Sequence, residues 1–440
     1  MMPALDRIEG DAKLPERADI VIIGGGIIGV SAALFLAERG IDVVLCEKGI
    51  VAGEQSGRNW GWVRTMGRDI AELPLSLESQ RLWAAMDKSC EAETGFTRCG
   101  ILYICDDEKE MAAQQAWLDA ARPYQVTSRI LSADEVETIL PAASRRFAGA
   151  LLTEADARAE PQKAVPAMAA AARRRGAKII EGCAVRGLDL AAGKVAGVVT
   201  EKGRIACGTV ILAGGVWSRL LCGNHGLDIP LLKILGSVFA TPPMPDGPEV
   251  TVGGPDFAFR KRRDGGYTVA RRNASISHIT PDSFRLFFDF LPSLAKGWNE
   301  LRLRVFGRFL EEWHMPRRWK LDTTSPFETV RVLDPEPDRS QLEEARDTIA
   351  ARFPSFRDMK IKDAWGGLMD VTPDAVPIIS RAESLPGLVI ATGFSGHGFG
   401  IGPGAGRLAA DLATGAAPVV DPKPFRLERF ARSAGLRRAG

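Results

Sequence analysis

The first strongly apolar segment of the chain predicts a strand, a helix and a second strand in succession. Ile20–Ile23 is short, β-branched and wholly apolar, as expected of a parallel strand that is buried on both faces. Residues 31–39 have apolar positions at helical spacing, and Gly40 is a natural helix stop. Residues 42–46 form the second apolar run. The pattern therefore predicts a βαβ unit.

Further strands follow at two later places. Residues 178–182 and 209–213 predict two more buried strands of the same kind, and a hairpin is predicted across Lys202 and Gly203. Residues 231–240 and 267–270 predict strands of a different, antiparallel sheet. Nucleotide-type segments thus alternate along the chain with segments of another kind.

The predicted fold class is α/β, with a Rossmann-like dinucleotide domain interleaved with an α+β substrate domain built on an antiparallel sheet. The predicted boundaries are 1–88, 150–230 and 355–425 for the first domain, 89–149 and 231–354 for the second, and 426–440 for a basic tail.

An aromatic-rich stretch interrupts the second domain. Residues 283–309 predict an amphipathic helix that is broken at Pro292 and covers the antiparallel sheet. The basic run of residues 302–320 indicates a solvated helix face, and a contact there with a partner subunit or a membrane surface stays open.

A glycine turn joins the first strand to its helix. Gly24, Gly26 and Gly29 follow the GxGxxG spacing, and Glu47 ends the second strand. The first glycine permits the sharp turn, the second lets a pyrophosphate approach the backbone, and the third lets the helix pack closely. The acid is placed to accept a ribose hydroxyl. This unit predicts a bound dinucleotide, either NAD or FAD. A membrane span over residues 20–37 is the alternative, but the run is shorter than the roughly 20 residues a bilayer needs.

The composition of the chain argues against nucleic-acid binding, secretion and a metal site. The hydrophobic and charged fractions, 45% and 25%, are those of an ordinary soluble protein, and the net charge of +2 gives no reason to expect nucleic acid. Seven cysteines without a CxxC pair indicate reduced thiols in a cytoplasm, and the first residues contain no signal-peptide core. The four histidines are too scattered to predict a metal site.

Four motifs in order resemble the FAD-dependent D-amino acid oxidase superfamily, in particular its sarcosine oxidase, glycine oxidase and D-amino acid dehydrogenase branch. They are IIGGGIIG with Glu47, SGRNWGWVR, VILAGGVWS, and WGGLMDVTPDAVPII followed by ATGFSGHGFGIGPGAG. The resemblance covers nearly the whole chain and implies FAD rather than NAD.

The resemblance also implies which residues surround the cofactor. Glycines of the first turn would hold the pyrophosphate, Glu47 the ribose, and the loop after residue 57 and the GHGFG segment the flavin ring. The complete expected set is Gly24, Gly26, Gly29, Glu47, Lys48, Arg58, Asn59, Trp60, Gly61, Val185, Ala213, Gly214, Trp217, Gly367, Gly396, His397, Gly398, Phe399 and Gly400.

Two departures from the family pattern change the expectation. The cysteine that carries a covalent flavin in sarcosine oxidases falls at or next to Gly367, and no cysteine follows Cys222. FAD is therefore expected to bind non-covalently. The lysine that follows the GHGF tetrad in the same branch is Gly400 here, which argues against rapid reaction with oxygen.

The substrate side needs a guanidinium more than a histidine, because a guanidinium can hold a carboxylate with two parallel hydrogen bonds. The first candidates are Arg64 and Arg68, which follow residues 58–61, the loop that the resemblance places beside the flavin ring and that we call the flavin loop. Arg271 and Arg272, at the end of a second-domain strand, are the other candidates. Surface ion pairing is an equally good explanation for each. Further candidates are Trp60 and Trp62 as aromatic walls, His397 inside the flavin motif, and Tyr267 as a donor to a carboxylate.

These features predict an FAD-dependent enzyme that oxidises the C–N bond of a primary or secondary amino acid, or a related amine, to an imine that water hydrolyses. The electron acceptor is open among oxygen, a quinone and a protein. The alternative is an FAD-binding subunit of a hetero-oligomeric amino acid or opine dehydrogenase that passes electrons to a partner. A non-catalytic flavin-binding or tRNA-modifying protein is disfavoured, because neither a CxxC pair nor a strong basic charge is present.

Overall fold

The computed structural model describes residues 3–141, 143–272, 275–297, 301–305 and 307–430. The predicted βαβ unit lies at the centre of a six-stranded sheet. Five neighbouring strands are parallel, and one edge strand is antiparallel. In spatial order the strands are Ile378–Arg381, Leu388–Thr392, Thr209–Leu212, Ile20–Ile23, Val43–Cys46 and Lys178–Ile180.

The helix that follows the glycine turn, Ile27–Glu38, is buried along its whole length except for its last residue. It lies between the sheet and two helices, Pro161–Arg174 and Gly398–Thr414, so it has no solvent face. This burial explains why its sequence is apolar all round. Within the described residues, no helix combines the length and hydropathy that a bilayer-spanning segment requires.

A ten-stranded sheet forms the second layer. Most of its neighbours are antiparallel, as expected, but Ile101–Cys105 pairs parallel with Thr251–Gly253, and Ser275–His278 pairs parallel with Leu301–Arg304. Along the sheet the strands are Leu301–Arg304, Ser275–His278, Leu232–Ala240, Tyr267–Ala270, Ala258–Lys261, Thr251–Gly253, Ile101–Cys105, Gly149–Thr153 and Ser128–Ser132, with Asp363–Val371 also paired to Leu232–Ala240.

Two three-stranded sheets complete the β-structure. The predicted hairpin is confirmed as Lys194–Thr200 with Gly203–Ala206, joined by Val185–Ala191; the other small sheet contains Trp62–Val63, Ala157–Arg158 and Thr97–Arg98. The remaining helices are Gln55–Arg58, Leu73–Ala84, Met86–Cys90, Glu108–Ala121, Ala133–Ile139, Ser218–Asn224, Pro281–Arg285, Phe287–Gly297, Phe309–His314, Pro326–Thr329 and Arg339–Arg352.

The structure differs from the pattern over residues 283–309. Pro292 lies inside helix Phe287–Gly297 rather than ending it, and the strand Leu301–Arg304 follows. The basic run 302–320 therefore contains an edge strand and the short helix Phe309–His314, not one helix face. Of the predicted basic tail, residues 431–440 lie outside the described residues.

Two predicted domain boundaries cut across the larger sheet. Strand Gly149–Thr153 pairs with Ile101–Cys105, and Asp363–Val371 pairs with Leu232–Ala240, so both belong to the ten-stranded sheet by hydrogen bonding. The predicted boundaries assign residues 150–153 and 363–371 to the nucleotide-binding domain. These two strands are apolar like the strands of that domain, and only their hydrogen-bonded neighbours distinguish them.

Helix Gly398–Thr414 packs on helix Ile27–Glu38 with almost no side chain between the two backbones. A Cβ on Gly406 would lie 2.4 Å from Ser31 Cβ and 2.7 Å from the Ala32 amide nitrogen. The same Cβ would lie 2.9 Å from the Ile28 carbonyl oxygen. Glycine is therefore required at position 406 for this close approach of the two helices.

Replacing Gly406 by alanine is expected to lower the free energy of unfolding by about 1–3 kcal/mol, because the added methyl group forces the two helices apart. Chemical denaturation followed by circular dichroism measures the change. Gly223→Ala is the matched control, since a Cβ there meets no atom within 4 Å. An equal loss of stability in both variants would show that the packing contact is not the cause.

Candidate active site

A cavity of about 1210 Å³ runs along the carboxyl ends of the central parallel strands. Parallel α/β sheets bind ligands at this edge, where the strand order reverses. At one end its lining includes Glu47 and Trp217, and at the other Phe394 and Phe399. Of the residues expected around the cofactor, the cavity is lined by Gly24, Gly26, Glu47, Lys48, Asn59, Val185, Ala213, Gly214, Trp217, Gly396, Gly398 and Phe399.

The glycine turn lies between the cavity ends. Gly24 has a φ of 110°, and a Cβ on it would lie 2.4 Å from the Ala213 carbonyl oxygen. Gly26 caps helix Ile27–Glu38 without any side-chain hydrogen bond. The Ile27 amide donates to the Ser56 hydroxyl at 2.8 Å, and the start of the helix, with the positive end of its dipole, lines the cavity as a pyrophosphate requires. Gly29 lies off the cavity and packs helix against turn.

Glu47 closes the turn from the next strand. Its carboxylate accepts hydrogen bonds from the amides of Gly25 and Gly49, each at 2.7 Å. Burial raises the pKa of Glu47 to about 7, although both amide donors act to lower it. The carboxyl group is thus fixed in place and keeps lone pairs for a ribose diol.

Lys48 and Trp217 form the wall of the same cavity end. The Lys48 ammonium lies 4.6 Å from the Trp217 ring centroid and bonds Glu54 at 2.6 Å. The Trp217 indole N–H also donates to Glu54, at 3.0 Å. The flat ring of Trp217 is therefore held by its polar edge, with an aromatic face available to a planar base.

Residues 325–334, which we call the crossing segment, pass over this end of the cavity. Phe327 lines the cavity and meets Trp217 edge-on, with ring centroids 5.8 Å apart. The Lys48 ammonium donates to the carbonyl oxygens of Val330 at 2.8 Å and Arg331 at 3.0 Å. The long basic side chain thus ties the crossing segment to the end of the second strand of the βαβ unit, Val43–Cys46.

Ion pairs anchor both ends of the crossing segment. Glu328 accepts two bonds of 3.0 Å from Arg186, and Asp334 lies 2.5 Å from the Arg58 guanidinium. Arg58 is almost wholly buried and also donates to the Gly366 carbonyl oxygen at 3.0 Å. Arg58 therefore ties the second sheet to the flavin loop and does not line the cavity.

The other residues expected in the flavin loop are neighbours of Arg58 in sequence. Asn59 lines the cavity and accepts the Gly61 amide at 2.8 Å, whereas Gly61 itself packs on Ala159, whose oxygen would lie 2.4 Å from an added Cβ. Trp60 lies behind the loop, where its carbonyl oxygen accepts from Arg260. Gly367 faces Gln55, whose carbonyl oxygen would lie 2.3 Å from an added Cβ. A cysteine at 367 would collide with that amide.

The far end of the cavity is made by the segment Phe394–Phe399, at the start of helix Gly398–Thr414. Ser395 and Gly396 both have positive φ, 49° and 79°, and the helix has no acidic residue in its first turn. A bare helix start suits the edge of a flavin ring where negative charge develops. The glycine cradle, the Glu47 carboxyl and this helix start together fit FAD along the cavity.

Gly400 is the second residue in that helix where no side chain fits. A Cβ there would lie 2.9 Å from the Trp62 carbonyl oxygen and 3.3 Å from Val63 Cα. Its carbonyl oxygen accepts from Ser79 and from the Trp83 indole, at 2.8 and 3.0 Å. Close packing against the Trp62–Val63 strand therefore excludes a lysine at this position.

Three arginines gather beside the flavin loop without acidic partners. Within the described chain, no carboxylate lies within ion-pairing distance of Arg64, Arg68 or Arg272, which donate instead to the carbonyl oxygens of Met66, Arg64 and Gly254 respectively. Burial, with repulsion from Arg64, lowers the pKa of Arg68 to about 9. Glu72 and Asp156 act on Arg68 only from beyond ion-pairing distance, so the three arginines form a candidate anion site.

Tyr103 stands between these cations. The Arg272 guanidinium lies 4.1 Å from its ring centroid and the Arg64 guanidinium 5.8 Å from it. Burial acts to raise the pKa of the Tyr103 hydroxyl, but Arg64, Arg272 and Arg68 outweigh it and the pKa is lowered. Trp62 packs on the same ring at 6.2 Å. The phenol is thus a polarised donor in an aromatic, basic corner.

Asp156 braces the loop that carries two of the arginines. Its carboxylate accepts the Thr65 amide at 2.7 Å, the Thr65 hydroxyl at 2.9 Å, the Met66 amide at 3.2 Å and the Gln80 amide at 2.5 Å. Burial raises the pKa of Asp156 to about 6. The loop therefore has a fixed conformation set by one buried acid.

Two of the predicted substrate residues lie elsewhere. Tyr267 is fully buried in the core of the ten-stranded sheet and donates to the Pro248 carbonyl oxygen at 2.9 Å, so it does not reach a ligand. Arg271 pairs with Glu344 at 2.8 Å, whereas the guanidinium of Arg272 lies over the Tyr103 ring. Both arginines follow the end of strand Tyr267–Ala270.

His397 stands next to the cavity and faces a second buried acid. Its Nδ1 lies 3.3 Å from a carboxylate oxygen of Glu72, which is completely buried. Burial, with repulsion from Arg68, lowers the pKa of His397 to about 4. The imidazole is therefore neutral at physiological pH.

Sequence reasoning missed Tyr103, Asp156 and Glu72. For Glu72 a signal existed, since Arg64, Arg68 and Glu72 recur every four residues within RTMGRDIAE. Tyr103 and Asp156 reach the site only because of tertiary packing, and no local pattern separates them from ordinary strand and turn residues.

Known proteins are similar over the full length of this fold. A structure of L-amino acid deaminase from Proteus myxofaciens in complex with anthranilate is 37% identical, covers 98% of this chain and 97% of that chain, and superposes with a TM-score of 0.94. The beta subunit of sarcosine oxidase from Rhodobacter capsulatus is 23% identical over 94% of this chain and 89% of its own length. Human mitochondrial sarcosine dehydrogenase is 24% identical over 96% of this chain, which spans only 42% of that protein.

The family model described as DAO, FAD dependent oxidoreductase, matches residues 19–412. The match includes every strand of the six-stranded sheet, the glycine turn and most of the helix that begins at Gly398. The chain therefore belongs to the DAO family of FAD-dependent oxidoreductases.

Proposed function

We propose that this protein oxidises the C–N bond of an α-amino acid, with non-covalently bound FAD as its cofactor. The observation that carries the proposal is the group of unpaired arginines around Tyr103, beside the flavin end of the cavity. The similarity to an L-amino acid deaminase supports an amino acid substrate. Bound FAD supplies an acceptor for the hydride that leaves the substrate α-carbon.

Different residues along the cavity would bind different parts of the cofactor. Glu47 would hold the ribose, Trp217 and Phe327 the adenine, the glycine turn with the start of helix Ile27–Glu38 the pyrophosphate, and the segment from Phe394 to Phe399 the flavin ring. Cysteine linkage is not available at the flavin end, because the last cysteine of the sequence is Cys222.

The substrate carboxylate would lie between Arg64 and Arg272. Their guanidinium groups flank the Tyr103 ring on its two edges, since Arg64 and Tyr103 approach each other at Gly67 and Arg272 and Tyr103 approach each other at Gly253. A carboxylate there would accept from both guanidinium groups and from the phenol, which restrains its rotation.

Aromatic side chains form the rest of this corner. Trp60 and Trp62 meet edge-to-face with ring centroids 5.5 Å apart, and Trp62 continues to Tyr103. Such walls favour an apolar or aromatic substrate side chain and exclude water from the reacting carbon. The reaction would leave an iminium group, which water converts to a 2-oxo acid with release of ammonia or an amine.

The electron acceptor we propose is a quinone or a protein rather than oxygen. Gly400 replaces the lysine of the related branch, and close packing on the Trp62–Val63 strand prevents any side chain at that position. Seven free thiols, six of them buried, support a reducing cytoplasmic location.

A flavoprotein subunit within a larger dehydrogenase is the second candidate function. Large apolar side chains are exposed on the helices that follow residue 280: Phe284, Phe287, Phe288, Leu291, Leu310 and Trp313. An exposed apolar face of this kind is typical of a surface covered by a partner or a membrane. The similarity to a sarcosine oxidase beta subunit supports a partner subunit.

Anaerobic addition of the right amino acid is expected to bleach the yellow flavin absorbance of the purified protein, because hydride transfer reduces it. A panel of L-, D-, N-methyl and cyclic amino acids and simple amines identifies the substrate, and absorbance near the flavin maximum is the readout. Turnover with an artificial dye but not with oxygen separates a dehydrogenase from an oxidase. If no member of the panel lowers the flavin absorbance of the FAD-loaded protein, amine oxidation is contradicted.

Arg64→Met and Arg272→Met are each expected to weaken carboxylate binding by about 10- to 100-fold, because each removes one charge-assisted pair. Titration of the flavin spectrum with anthranilate measures the dissociation constant without turnover. Arg271→Met is the matched control, since its guanidinium pairs with Glu344. Unchanged affinity in the first two variants would place the carboxylate elsewhere.

Phe327→Ala is expected to release FAD roughly 10-fold faster, because the crossing segment then loses its contact with Trp217. Loss of flavin after dilution, followed by its fluorescence, measures the rate. Phe284→Ala, at an exposed position, is the control and should retain FAD. In the unaltered protein, acid precipitation should leave all colour in the supernatant, and a yellow pellet would contradict non-covalent binding.

A further inference from the structure

Glu72 is a buried acid that has no role in the binding of FAD or of the substrate carboxylate proposed above. It ends the turn Ile70–Glu72 that precedes helix Leu73–Ala84, and its side chain has no exposure. Both carboxylate oxygens lack a hydrogen-bond partner among the described residues. Burying a carboxylate without such partners costs several kcal/mol in general, so its place calls for a specific counterpart.

The groups that face Glu72 identify that counterpart. His397 Nδ1 lies 3.3 Å from Oε2, inside ion-pairing distance but not aligned as a hydrogen bond. Arg68 and Arg64 are the other charges close enough to act on both groups. Burial acts to raise the pKa of Glu72, but His397, Arg68 and Arg64 outweigh it and the pKa is lowered. At neutral pH the pair is therefore a carboxylate beside a neutral imidazole.

We propose that Glu72 is a positioning residue that holds His397 in the tautomer protonated at Nδ1, so that the lone pair on Nε2 faces the substrate amine. This inference rests on the proposed amino acid oxidation. The Glu72 carboxylate lies 3.3 Å from Nδ1, and its negative charge favours the neutral tautomer that carries the proton there. Nδ1 is buried, whereas the His397 side chain as a whole is about a quarter exposed, so the acceptor nitrogen Nε2 is the one left for a ligand.

This arrangement supports the transfer of one proton from the substrate ammonium group to His397. An N–H bond of the substrate ammonium breaks, its electron pair stays on the substrate nitrogen, and the proton forms a new bond to His397 Nε2. The amine becomes neutral, as loss of hydride from the α-carbon requires, and the imidazolium is stabilised by the Glu72 carboxylate.

Substrate binding itself would make His397 a better base. Arg68 and Arg64 lower the pKa of His397 in the free protein, and a carboxylate bound beside them offsets their charge. With that repulsion reduced, the pKa of His397 rises toward its ordinary value. The base is therefore strengthened only when an acidic ligand occupies the site.

The tautomer can be measured in the FAD-loaded protein without any turnover. Long-range ¹⁵N–¹H correlation spectra report which imidazole nitrogen is protonated, and the chain has only four histidines. His397→Asn assigns the signal. We expect the Nδ1–H form in the unaltered protein and a shift to the Nε2–H form in Glu72→Met, which keeps the volume but lacks an acceptor. An Nε2–H form in the unaltered protein, or no change in Glu72→Met, would overturn the proposal.

Kinetics provide a second readout that a purely structural role would not move. Glu72→Gln keeps an acceptor but loses the charge that raises the pKa of His397, so kcat/KM at neutral pH should fall about 10- to 100-fold and its acidic limb should move to lower pH. Glu78→Gln, on the helix that follows Glu72, should leave both unchanged. A pH profile that stays in place in Glu72→Gln would overturn the proposal, whereas absence of turnover in the unaltered protein would refute only amino acid oxidation.

Discussion

The contact between helices Ile27–Glu38 and Gly398–Thr414 is the constraint on which the site depends. Because Gly406 allows the two backbones to approach closely, helix Gly398–Thr414 lies beside the helix that follows the first glycine turn. The nucleotide end and the flavin end of the cavity are thereby fixed relative to each other. A long dinucleotide needs this fixed distance more than it needs any single hydrogen bond.

The second constraint on the site is electrostatic, and several of its charged residues lie within residues 64–72. Arg64, Arg68 and Glu72 succeed one another at four-residue intervals, and Asp156 fixes the loop from which the two arginines project. Arg64 and Arg272 lie against Tyr103, and neither makes a direct ion pair with a carboxylate of the described residues. The anion that we propose as their counterpart is the substrate carboxylate.

Local pattern was sufficient for the nucleotide unit. Strand, glycine turn, helix and terminal acid are contiguous in sequence, and Gly24, Gly26 and Glu47 lie where that pattern places them. Tyr267 shows where such reasoning ends: its strand was predicted correctly, but its face was not, because register and sheet packing decide which side chain meets solvent or core. Arg271 and Arg272 follow the end of the same strand, and only their tertiary contacts, with Glu344 and Tyr103 respectively, distinguish them.

The crossing segment also constrains the order of events when the protein is made. Its residues 325–334 close the adenosine end of the cavity, and strand Leu388–Thr392 and helix Gly398–Thr414 close the flavin end. All of these leave the ribosome long after the glycine turn that begins the site. A nascent chain therefore displays a nucleotide turn that has no walls until residues 325–334 and 388–414 have been made. The turn by itself is an open anion site, and the enclosed cavity exists only after the chain has been extended past residue 414 and has folded back onto the first helix.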